Sequence, residues 1–177
     1  MTPDVKKIVT DYKKLKELVH AHKVLGHKVV ATIGSWDMLH IGHLRYLNNA
    51  RAQGNVLIVG VDTDRGIKLY KKTNLRPIIP ESERMEMLSY QHCVDYVTLI
   101  DDVDSKGAWQ YELIKDIPID TFVVEDGSYS AEQKKMIKKH CKQVVVLNRQ
   151  AQRTSSTDIV QNIVKTHLID LVDKLRR

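Results

Sequence analysis

Ala31-Thr-Ile-Gly-Ser-Trp-Asp-Met-Leu-His-Ile-Gly-His-Leu-Arg-Tyr-Leu47 divides into three pieces. Its apolar start continues a strand from Lys28, Gly34 opens a tight turn, and Leu44 and Leu47 recur at helical spacing from about Ile41. A strand, a turn and a helix in that order present unpaired N–H groups and the positive end of a helix dipole, which together attract phosphate. His40 and His43 stand at that helix start with Gly42 between them. A spacing of three lets both rings face one anion, and the absent side chain at Gly42 is expected to let the anion reach the backbone. Two imidazoles so placed suit a phosphate under attack, where charge develops.

On the N-terminal side, Thr2-Pro3 has the form of a helix start, and Val5, Ile8, Tyr12, Leu15 and Val19 then share one face, so one helix is predicted as far as Gly26. On the C-terminal side, the motif helix is predicted to stop at Gly54. Residues 56–61 then form an apolar run without alternation, as in a strand covered on both faces. Strand, helix and strand joined by a crossover of this length pair in parallel. The polar segment 62–80 carries Lys68, Lys71, Lys72 and Arg76, and its Pro77 and Pro80 argue against regular structure at its end. Helices are predicted over 81–90, 108–116 and 131–140, alternating with strands over 96–100, 121–124 and 144–147. Ser155 or Ser156 caps a closing helix with apolar Ile159, Ile163, Val164, Leu168, Leu171 and Leu175. The expectation is one domain over 1–177, an α/β chain of Rossmann-like three-layer α/β/α form with a five-stranded parallel sheet.

A chain of 177 residues can bury a core without staples. No secretory signal, no bilayer-spanning run and no low-complexity tract is visible, so a cytoplasmic protein with no membrane partner is expected. Cys93 and Cys141 lack metal-binding spacing, so no protein metal site is expected. The formal charge of +6 is carried in part by Lys134, Lys135, Lys138, Lys139 and Lys142. Their spacing solvates one helix face, which argues against a nucleic-acid partner and leaves a small anionic substrate to account for part of the rest.

Parallel sheets bind ligands beyond the carboxyl ends of their strands, where strand order reverses. Loops 34–43, 62–72, 125–129 and 149–157 all open on that edge and bring two histidines, several lysines, an acidic turn, Arg149, Arg153 and a run of hydroxyls.

Gly34-Ser-Trp-Asp-Met-Leu-His-Ile-Gly-His43 is similar to the Gly-x-Phe-Asp-x-x-His-x-Gly-His motif of the cytidylyltransferase-like nucleotidyltransferases, with Trp36 in the aromatic slot. Residues 149–157 loosely match that family's Arg-Thr-x-Gly-x-Ser-Thr-Thr motif. Arg76-Pro77 and the stretch from Glu83 to Leu88 resemble members that make ADP-heptose, whereas the Thr-x-Gly opening of the first motif and the Ser-x-Thr-Asp-Ile-Val ending look closer to glycerol-3-phosphate and ethanolamine-phosphate cytidylyltransferases. The resemblance implies attack of a phosphorylated sugar or polyol on the α-phosphate of ATP or CTP, with release of pyrophosphate. It implies triphosphate contacts from Ile33, Gly34, Ser35, Trp36, His40, Gly42, His43, Asp126, Arg149, Arg153, Ser155, Ser156 and Thr157. His40, His43 and Lys71 would be catalytic, with Lys68 and Lys72 as alternatives to Lys71. Asp37, Lys68, Lys72 and Arg84 would lie toward the acceptor, Asp37 chiefly bracing the turn. Trp36 would stack or pack. A Mg2+ ion held through the triphosphate and a homodimer are further implications. Three departures stand out: Ile33 where the heptose enzymes have asparagine, Val124-Glu-Asp-Gly-Ser-Tyr129 in place of Lys-Gly-Gly-Asp-Tyr, and one extra residue in the second motif. Adenylyl transfer to flavin mononucleotide and a nucleotide-binding protein without turnover are the alternative readings.

Overall fold

In the computed structural model, which describes residues 5–175, five parallel strands lie in the order β3-β2-β1-β4-β5. They are β1 (Val29–Gly34), β2 (Val56–Asp62), β3 (Tyr96–Ile100), β4 (Thr121–Glu125) and β5 (Gln143–Leu147). The helices are α1 (Tyr12–Val24), α2 (Ile41–Arg51), α3 (Asp64–Lys71), α4 (Glu81–Ser89), α5 (Glu112–Asp116), α6 (Ala131–Ile137) and α7 (Ser156–Leu175). Period-two alternation divides the strands between two cores. Val29, Ala31, Ile58, Phe122 and Val124 meet Leu15 and Val19 of α1, Leu113 and Ile114 of α5, and Ile137 of α6. Val30, Leu57, Val59, Val97 and Val123 meet Tyr46, Leu47 and Ala50 of α2 and Leu88 of α4. The result is a three-layer α/β/α fold of Rossmann-like form. β2 is buried along its whole length, as its unbroken apolar run requires.

The chain runs β1 to β2 to β3 in one direction across the sheet and then returns to place β4 on the other side of β1. Strand order therefore reverses between β1 and β4, and the turn after Gly34 opens at that reversal.

Three elements differ from the sequence expectation. The predicted helix start at Thr2-Pro3 lies outside the described residues. The remainder is a 3-10 turn at Val5–Lys7 and then α1, because the chain between them runs along the outer edge of β3. There Val9 N donates to Val97 O at 2.8 Å, and Asp11 restarts the helix by accepting from Lys13 N at 2.8 Å. The polar segment after β2 contains α3, capped by Thr63 Oγ1, which accepts from Gly66 N at 3.0 Å, and anchored by buried Ile67. The predicted 108–116 helix begins only at Glu112. Asp102 accepts from Gln110 N at 3.1 Å and Glu112 N at 2.9 Å, which holds the preceding residues in a closed loop that carries Trp109.

Candidate active site

One cleft of about 840 Å³ lies over the strand reversal, walled by the loops after β1, β2, β3, β4 and β5. The motif turn forms its floor. Trp36 and Met38 take positive φ (51° and 57°), which folds the chain back so that His40 becomes the N-cap of α2. His40 Nδ1 accepts from Gly42 N at 3.1 Å, and its ring stacks on His43 with centroids 3.9 Å apart. A Cβ on Gly42 would lie 2.9 Å from the His40 ring and 3.0 Å from Ala151 Cβ. Gly42 therefore makes room for His40 and for the loop after β5, and it lines the cleft beside them.

Trp36 packs and does not offer an open stacking face. It is 5% exposed, donates its indole N–H to Gly60 O at 2.8 Å, and meets the His43 ring edge-on at 5.6 Å. His43 is thus held between an indole and a second imidazole. Burial, aided by His40, pulls its pKa down to about 4, and Nδ1 has no hydrogen-bond partner. His40 is lowered too, by burial and by the charge of Arg149. Both rings are neutral at pH 7 and available as hydrogen-bonding groups.

Asp37 is buried, and the expectation that it braces the backbone holds for a different segment. Its carboxylate accepts from Arg76 Nη1 at 2.8 Å and from the amides of Ile78 and Ile79 at 3.1 Å, which docks the loop before α4 against the motif turn. Burial works against ionisation there, but Arg76 and the two amides outweigh it and hold the carboxyl below its usual range. With both oxygens so engaged, Asp37 is not placed to bind an acceptor.

Arg84 corrects the sequence reading most sharply. It has no exposed surface, and its guanidinium donates to Ile79 O at 2.9 Å, Asp62 O at 2.8 Å, Asp64 Oδ1 at 2.6 Å and Ser35 O. It ties the ends of β1 and β2 to α4 and has no donor directed to an acceptor phosphate. Lys71 is the loop lysine on the cleft wall, its Nζ 3.4 Å from Ser35 Oγ; Lys68 and Lys72 lie outside that wall. Burial and the nearby charge of Arg76 lower the Lys71 pKa.

On the β5 side, Arg149 lines the cleft and pairs with Asp158 at 3.5 Å, while Arg153 lies outside it. Ser155 caps α7 by accepting from Asp158 N at 3.1 Å, and Ser156 donates to Asp37 O at 2.7 Å. Their hydroxyls have structural work, and Ser155, Ser156 and Thr157 all line the cleft at the start of α7. Ile33, Gly34, Ser35 and Asp126 also line it. Sequence reasoning missed Asp62, Tyr70, Arg76 and Trp109, which form the β2 side of the wall. The cap at Thr63 with Ile67 and Tyr70 three apart was the available signal for α3, and hence for Tyr70.

Residues 31–162 match the cytidylyltransferase-like family. The chain belongs to that family. Its relatives include the bifunctional protein HldE of Syntrophotalea carbinolica, 32% identical over 153 residues, 85% of this chain and 30% of that protein. HldE of Nitratiruptor sp. is 34% identical over 125 residues, 71% of this chain and 26% of that protein. This chain therefore spans less than a third of these curated relatives. Among solved structures, a lipopolysaccharide core biosynthesis protein from Thermoplasma volcanium superposes with a TM-score of 0.59 at 24% identity, covering 71% of this chain and 100% of that one. Pantoate-beta-alanine ligase from Francisella tularensis gives 0.55 at 12% identity, with 86% and 74% covered. Both are likenesses of fold. Family membership makes this a nucleotidyltransferase domain.

Proposed function

We propose that this domain transfers a nucleoside monophosphate from ATP or CTP to a phosphorylated sugar or polyol. In this reaction an acceptor phosphate oxygen bonds to the α-phosphorus, the bond from that phosphorus to the bridging oxygen breaks, and pyrophosphate leaves. Such a step asks the protein for position and neutralisation of charge more than covalent work. The observation that carries the reading is the convergence of the stacked His40–His43 pair with Lys71, Arg149 and the start of α7 on one cleft. His40 and His43 donate to the α-phosphate as charge gathers, and Lys71 offsets charge from the β2 side. Arg149, Thr157 and the first turn of α7 receive the departing pyrophosphate. The relatedness to HldE and the heptose-like middle of the sequence favour an aldose phosphate as acceptor.

Mg2+ enters this reading bound to the triphosphate. Such an ion would be held through phosphate oxygens and water. Its chemistry when bound is to draw charge off the phosphates; the chain contributes the imidazoles and Lys71. No helix among the described residues is long and apolar enough to cross a membrane. A cytoplasmic setting, where triphosphates are made, is part of the proposal. So is a second copy of the chain as partner, for which the uncovered apolar row of α7 argues.

The test is a matrix of ATP and CTP against heptose 1-phosphate, glycerol 3-phosphate, phosphoethanolamine and flavin mononucleotide, following pyrophosphate. Release with a sugar or polyol phosphate is expected. Release only with flavin mononucleotide, or binding of triphosphate without release in any combination, overturns the reading.

A further inference from the structure

The β2 side of the cleft holds a carboxylate that the transfer step does not use. Asp62, the last residue of β2, is 2% exposed and lines the cleft. Its Oδ2 accepts from Tyr70 Oη at 2.9 Å, and its Oδ1 has no hydrogen-bond partner. A buried acceptor left unpaired is destabilising, and on a cleft wall a bound ligand is able to supply the missing donor. Tyr70 and Trp109 stand beside it as a tilted aromatic pair with centroids 5.6 Å apart, and both line the same wall.

We propose that Asp62 Oδ1, with the Tyr70–Trp109 pair, is the subsite that recognises a neutral hydroxylated chain or ring on the acceptor phosphate. This rests on the transfer reading above and specifies its acceptor. The unpaired Oδ1 takes a hydroxyl, which can donate to the ionised carboxylate and accept from the protonated one, and an aromatic pair suits the C–H face of a sugar. Charge decides between a hydroxyl and an ammonium. The positive charges of Arg84 and Lys71 both act on this carboxylate, against the single negative charge of Asp102, and that balance disfavours a further cation. Burial raises the Asp62 pKa to about 7, consistent with a site that is not strongly anionic. The sequence position also suits the role: β2 ends across β1 from Arg149 and α7, so acceptor and triphosphate enter from opposite sides of the imidazole pair.

Asp62→Asn and Trp109→Leu are compared with the unmodified chain in the pyrophosphate assay, with KM measured separately for triphosphate and for each acceptor. Both variants are expected to raise KM for the hydroxylated acceptor by about 10-fold or more, the size of one lost hydrogen bond to a charged group. KM for triphosphate is expected to stay within about twofold. Thermal melting of each variant tests whether it folds, and Trp109→Leu carries the test if Asp62→Asn does not. Turnover whose acceptor KM is unmoved in both variants overturns the subsite and leaves the transfer reading standing. A preference of the unmodified chain for phosphoethanolamine that Asp62→Asn abolishes assigns the carboxylate to an ammonium and overturns it as well. Absence of pyrophosphate with every acceptor overturns the subsite together with the transfer reading.

Discussion

His43 has its ring between His40 and Trp36 and one nitrogen without a partner. His43→Ala is expected to lower turnover by at least ~10²-fold, the size typical of losing one preorganised donor, with the chain still folded but its melting temperature reduced by loss of the packed ring. Pre-steady-state and steady-state pyrophosphate release check it. The same burial links the residue to pH. Its folded pKa of about 4 lies below the ordinary histidine value of 6.5, so the unfolded chain takes up protons that the folded chain refuses as pH falls from 6.5 to 4. Its contribution to stability is complete above 6.5 and is lost through that window. Asp62 has the opposite sign: its folded pKa of about 7 exceeds its ordinary 3.8, so its burial penalises the fold most above pH 7 and is relieved on acidification. Asp62→Asn is therefore expected to raise the melting temperature at pH 8, by about 2–4 °C for each kcal/mol gained, and to raise it less at pH 5.5. The imidazole pair was legible in the sequence because a glycine-bounded turn, an aromatic and an aspartate stand at fixed offsets. The packing around Gly42 was not, since only coordinates reveal that the His40 ring and Ala151 fill the space a side chain would take.

At the scale of elements, α3 and α4 shape the β2 side of the cleft, and both depend on one guanidinium. Arg84→Met removes four donated hydrogen bonds and leaves the carbonyls of Ser35, Asp62 and Ile79 and the Asp64 carboxylate without their partner. A loss of roughly 3–5 kcal/mol is expected, as when one member of a buried charged network is removed, measurable by urea unfolding. An acceptor-binding role for Arg84 would instead give a raised acceptor KM on a stable fold. Along α3, Lys71→Ala is expected to slow turnover by about 10-fold or more, and Lys68→Ala to leave it within about twofold, because only Lys71 reaches the cleft. The strands were readable from the sequence to within a residue or two, since both faces of each central strand are buried and leave an unmistakable apolar run. α3 escaped because it is short, mostly polar and followed by prolines. The break before α1 escaped because its cause is tertiary: residues 8 and 9 pair with β3, far along the chain.

Over the whole molecule, exposed large apolar side chains are scattered, as at Val24, Leu25 and Leu75, and on α7 they gather into a row. Ile163, Val164, Leu168, Ile169, Leu171, Val172 and Leu175 are all at least 44% exposed on a helix of 20 residues. A row of that size on a lone chain is unusual and favours association. Sedimentation is expected to show a dimer at micromolar concentration, and Leu168→Glu with Leu171→Glu to give a monomer with its fold intact; a monomer from the unmodified chain would remove the second copy from the proposal. The closing helix was legible from its cap and its apolar positions, but periodicity alone cannot say whether such a face is buried within the chain. The first residue of that helix is fastened to the turn after β1 by the Ser156 hydroxyl on the Asp37 carbonyl. If the proposed dimer forms through α7, self-association and occupancy of the cleft become two legs of one thermodynamic cycle. Whatever factor triphosphate contributes to pairing, pairing must return to triphosphate. Dilution then acts as an effector: the apparent triphosphate affinity of the unmodified chain is expected to change across the dimerisation midpoint, and that of the glutamate variant to stay flat.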